Sequence, residues 1–140
     1  EDWRDQSTFW PPHPQWAAGS TLGIGEVVYR YSELFLFASR LAASPAGDGV
    51  VVIDVTACGL AGRRLEVDAP RRFPLHGRHT ADIDRFPLHY ELRNSELQPQ
   101  IWDQALESSA ELFARFDWNP GMSVLRSWQE DIRKRDLTES

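Results

Sequence analysis

Cysteine is nearly missing from this chain: Cys58 stands alone among 140 residues. A disulfide framework and any multi-cysteine metal site are thereby excluded. The apolar, strand-like run around Cys58 predicts a buried thiol rather than a reactive one. No stretch approaches the roughly 18 to 20 consecutive apolar residues that a membrane span needs, and no signal-peptide pattern opens the chain. No membrane partner is therefore expected. A basic excess is lacking too, since the formal net charge is −6. Non-specific grip on nucleic acid comes from neutralising phosphates, so this balance disfavours it. The absence of disulfides fits a reducing compartment, and a cytoplasmic location is the expectation. The chain starts at Glu1 without a methionine, from which we expect a segment of a longer protein or a trimmed product.

What is present is material for a core. With 41% hydrophobic and 11% aromatic residues, including six Trp and seven Phe, the chain fits one globular domain. The centre of that domain is expected in Glu26 to Ser44. Val27, Tyr31, Leu34, Phe35, Ala38, Leu41 and Ala42 fall on one face of a helix. Val28, Leu36 and Phe37 make its flanks apolar, so only a narrow strip through Arg30, Glu33 and Arg40 suits water.

Residues 1–25 read as an extended arm, because Pro11, Pro12 and Pro14 forbid a helix and Gly19, Gly23 and Gly25 follow. Trp3, Phe9, Trp10 and Trp16 are spaced along it. They predict either a strap across the chain's own core or an aromatic docking segment for a neighbouring domain or subunit.

Residues 26–140 are expected to form a single α+β domain, two-layered, with an antiparallel meander of three or four strands against three helices. Val50 to Gly59 is the clearest strand, with Val51, Ile53, Val55 and Ala57 on one face. Gly59 to Gly62 supplies a bend, and Arg63 to Asp68 reads as the return strand of a hairpin. Alternation resumes over 80–93, where Pro87 restricts the piece to a sheet edge or a strand start. Ser95 with Gln98 forms a capping-box pattern. Trp102, Ala105, Leu106, Ser109, Phe113 and Phe116 then make an amphipathic face. After Asn119-Pro120-Gly121, a last helix from Ser123 to about Leu137 carries Val124, Leu125, Trp128 and Ile132.

No catalytic residue, cofactor or metal is assigned. His76, His79, Asp82 and Asp84 are the only constellation resembling a site, and a metal-dependent hydrolase using His76, His79 and Asp82 is the enzyme alternative. Their spacing matches no helix-borne zinc pattern, so a loop surface is the simpler reading. Gly23-Ile24-Gly25 before the first helix resembles a phosphate loop only partly. Val28 replaces the third glycine, no strand precedes and no lysine follows, which leaves a hinge. Arg63, Arg64, Arg71, Arg72 and Arg78 cluster within 16 residues. They are expected to pair locally with acids, or else to bind an anionic partner such as nucleic acid.

The run EVVYRYSELFLFASRLAAS, then VVIDVTACGLAGRRLEVD, then the ELFARFDW helix end resembles a C-terminal accessory region of bacterial Schlafen-type (AlbA-like) ATP-binding proteins, over residues 26 to about 118. The nucleotide-binding module of that family has no counterpart here, and no functional residue carries over. The resemblance implies a sensing or partner-binding piece attached to a regulatory or defence-related protein. Together these readings favour a non-catalytic interaction or sensor domain whose partner is a protein or a neighbouring domain. Arg63, Arg64, Arg71, Arg72, Arg78, Trp10 and Trp16 are its candidate binding residues. A pocket between the first helix and the sheet is where a small ligand would go, although no residue pattern marks one.

Overall fold

The computed structural model describes residues 20–43, 50–69 and 72–134, with backbone alone for 94–99. The apolar periodicity after Gly23 becomes a 19-residue helix with one face buried. Strand β1 (Thr21–Gly23) leads directly into helix α1 (Ile24–Ala42). Val27, Val28, Tyr31, Phe35, Ala38 and Ala42 of α1 are buried. Phe35 lies at the centre, 1% exposed, with its ring edge-on to Tyr90 at 5.5 Å. Leu41, which belongs to the same stripe by spacing, is instead 55% exposed. The last residues assigned to the arm are part of the packed body, since Thr21, Leu22 and Ile24 are all buried.

The strands then depart from the expected meander. Strand β2 (Val50–Cys58) pairs with strand β4 (Arg85–Arg93), antiparallel and in register over their full length, from Val50↔Arg93 to Cys58↔Arg85. Strand β3 (Arg64–Glu66) makes no hairpin with β2. It runs parallel to β1, with Leu22 opposite Leu65. The described residues therefore form two two-stranded sheets. The physical reason is the length of matched apolar face. Against Val51, Ile53, Val55 and Ala57, β4 brings Leu92, Tyr90, Leu88 and Phe86, while the expected return strand offers only Leu65 and Val67. Gly59 and Gly62, both with positive φ, turn the chain away from β2 rather than back along it. Pro87 is tolerated within β4 because each strand of a two-stranded ribbon is an edge.

Helices cover one face of the ribbon. Helix α2 (Asn94–Arg115) packs on α1 and β4, and helix α3 (Met122–Ile132) packs on α1 and α2. Buried Gln129 of α3 ties the three helices together, donating to Ser32 Oγ at 3.1 Å and to the Trp102 carbonyl at 2.9 Å. On the ribbon, Ile53, Ala57, Phe86 and Leu88 are buried, while Val50, Val52, Asp54, His89 and Glu91 face outward. No described helix is long and apolar enough to cross a membrane.

Candidate functional site

Helix α1 and strand β2 border a groove of about 530 Å³, lined by Arg30, Tyr31, Glu33, Leu34, Phe37, Val55, Thr56 and Ala57. Its helical wall follows the spacing of one α-helical stripe, ending in Phe37, which is 58% exposed. The other wall is three consecutive strand residues. Consecutive residues of a strand point to opposite faces, so a groove touched by Val55, Thr56 and Ala57 together runs along the strand's edge rather than over one face. No β4 residue contributes, which places the groove on the edge of β2 away from β4. Among the described residues that edge has no strand partner. Every second residue of such an edge directs its N–H and C=O outward.

Charge is confined to the groove's rim. Arg30 Nε donates to Glu26 at 2.8 Å, and its Nη1 lies 3.8 Å from Glu33. Tyr31 belongs mostly to the interior. Its hydroxyl is buried with no hydrogen-bond partner among the described residues. Burial, then the neighbouring Tyr90 and Glu111, push its ionisation far above the usual tyrosine range. The sequence pointed to a pocket between the first helix and the sheet but not to its lining, because Leu34 and Phe37 have the apolar character of core residues. The only available signal was that α1 carries more apolar circumference than one buried face uses.

The four described arginines of the cluster are engaged in different ways. Arg63 is 6% exposed and donates from Nε to the Gly59 carbonyl at 2.8 Å and from Nη1 to the Thr21 carbonyl at 2.6 Å. Arg64 is ion-paired with Glu66. Arg72 reaches α3, with Nη2 2.7 Å from Asp131 Oδ2 and its guanidinium 4.2 Å from the Trp128 ring centroid. Arg78 is exposed with no ion pair among the described residues. Arg71, Trp10 and Trp16 lie outside the described residues.

His76 and His79 are not arranged as ligands. Both nitrogens of His79 stand 3.1 Å from backbone carbonyls, those of Asp117 and His76, and His76 and Asp82 are exposed. No group of three or more His, Cys, Asp or Glu among the described residues is placed to hold a metal ion. A separate trio sits on the outer ribbon face, where His89 bridges Asp54 at 2.6 Å and Glu91 at 3.2 Å. Hydrogen bonding to Asp54 and then to Glu91 raises the imidazole's ionisation. The trio works as a cross-strand clamp.

No family model matches the chain, and neither a curated protein nor a solved structure matches it.

Proposed function

We propose that this chain is a non-catalytic interaction domain that captures an extended peptide segment by strand addition along β2, beside α1. The observation that carries this reading is the groove on the β2 edge away from β4. An added strand satisfies the outward N–H and C=O groups, which a helical or globular guest leaves unpaired. Its alternate side chains enter the space beside Leu34 and Phe37, so apolar residues at every second position are favoured. The resemblance noted above extends the proposal to a sensor or docking module of a larger intracellular bacterial protein of regulatory or defence type. Nucleic acid is a weaker partner, because Arg63, Arg64 and Arg72 are engaged within the domain.

Selection of displayed random peptides on the full chain tests the reading. Peptides with alternating apolar positions should emerge and should protect β2 amides from hydrogen exchange. They should bind Phe37→Asp at least about tenfold more weakly, a difference of about 1.4 kcal/mol. Because Phe37 is exposed, that substitution leaves the core alone. Peptides that ignore Phe37, or a selection that enriches none, would overturn strand addition at this edge.

A further inference from the structure

One run of residues occurs twice in this chain. Arg72-Phe73-Pro74-Leu75-His76 returns as Arg85-Phe86-Pro87-Leu88-His89, in the same order. The second copy opens β4 and is seated on β2. Arg85 stands opposite Cys58, Phe86 opposite Ala57, Pro87 opposite Thr56, Leu88 opposite Val55 and His89 opposite Asp54. The first copy lies in the connection between β3 and β4 and belongs to no strand. Its Phe73 is 92% exposed, whereas Phe86 is 7% exposed. The same residues therefore occupy two environments, one on β2 and one in solvent.

Over the shared positions, the first copy offers β2 what β4 offers. Phe73 and Leu75 alternate onto one face as Phe86 and Leu88 do. Pro74 would meet Thr56, where the ladder already accommodates a residue without an N–H. His76 would meet Asp54, which His89 now contacts at 2.6 Å. The loop from β2 to the first copy is also half as long, residues 59–71 against 59–84, which favours its closure about threefold. The copies diverge after the histidine. Opposite Ile53, Val52 and Val51, β4 brings Tyr90, Glu91 and Leu92, where the first copy continues with Gly77, Arg78 and His79. Tyr90 meets Phe35 edge-on at 5.5 Å, and its hydroxyl accepts from Ser108 Oγ at 3.1 Å. Glycine replaces neither contact. The first copy is meanwhile held elsewhere, with Arg72 on Asp131 and Trp128 and Leu75 partly buried against the core.

We infer that β2 has two registers: Arg85–Arg93 holds it in the ground state, and Arg72–His76 takes the same edge in a minor state that releases β4. The choice between them is made by Tyr90 and Leu92, because the shared residues serve both. The exchange concerns the edge that β4 occupies, so the inference is independent of the strand-addition reading.

Cys58 is the single cysteine of the chain and is free, which opens the minor register to capture. In that register Arg72 stands opposite Cys58, as Arg85 does in the ground state. The full chain carrying Arg72→Cys is incubated with oxidised glutathione, and the intramolecular disulfide is followed by mass. The disulfide should form. Adding Phe73→Ser should slow it at least about tenfold, because a phenylalanine that docks in a core loses more than that on truncation. In the ground state Phe73 is exposed, so an incidental approach of the two thiols would not depend on it. In the captured form the β4 amides should lose their protection from hydrogen exchange. A disulfide that forms as fast without Phe73, one that leaves β4 protected, or none at all would overturn the second register.

Discussion

Tyr31 shows how a residue can be well placed for packing and badly placed for its polar atom. Its ring belongs to the core stripe of α1, yet its hydroxyl meets no acceptor or donor among the described residues. A buried hydroxyl without a partner has given up its water for nothing. Tyr31→Phe should therefore raise stability, by about 1 kcal/mol in chemical denaturation. A loss of similar size would mean that the hydroxyl has a partner. Phe35, one turn further on, was legible from sequence because helical spacing alone put it at the centre of the apolar face. Phe37 was not. Nothing in a single side chain's chemistry distinguishes a phenylalanine that faces a core from one that faces a groove. The difference depends on which surfaces the other elements happen to cover.

The same limit operates between elements. Helix α1, strand β2 and the two later helices follow from periodicities that local sequence carries, and each begins close to its expected start, while the expected end of the last helix near Leu137 lies outside the described residues. The pairing of strands did not follow. A bend at Gly59–Gly62 is a local signal for a hairpin, whereas register is decided by how many apolar pairs a partner can match, wherever it lies in the chain. Arg63 is the hinge of the actual arrangement. Its guanidinium joins the bend, at the Gly59 carbonyl, to β1, at the Thr21 carbonyl. Reading it as part of a binding surface was natural from sequence, because an arginine that staples backbone carbonyls looks the same as one that awaits a phosphate. Arg63→Ala should cost about 3 kcal/mol, since it leaves buried carbonyls unpaired. Arg63→Lys should recover only part, because one ammonium cannot span two acceptors as a planar fork does. Equal stability of the lysine variant and the parent, measured by urea unfolding, would show that charge alone suffices.

For the whole molecule, net charge and the internal employment of arginines act in the same direction. The net charge is −6, and Arg63, Arg64 and Arg72 are held by local partners, so these three are not free to release counterions from a phosphate backbone. Titration against single- and double-stranded nucleic acid at about 50 mM and 200 mM salt should show no tight binding at either concentration. Tight, steeply salt-dependent binding abolished by Arg71→Glu with Arg72→Glu would reverse the choice of partner class. The order of the strands also sets how the chain reaches this state. Residues 59–84 separate β2 from β4, and β3 lies inside that interval while its own partner, β1, lies before α1. Neither sheet can be zipped up from a tight turn. Each must first close a long loop, and loop closure costs entropy before any pairing offsets it. The helices, built from near neighbours, have no such delay. Folding speed is therefore governed by the meeting of distant strands on helices already taking shape, and it is slower than the helical content alone would give.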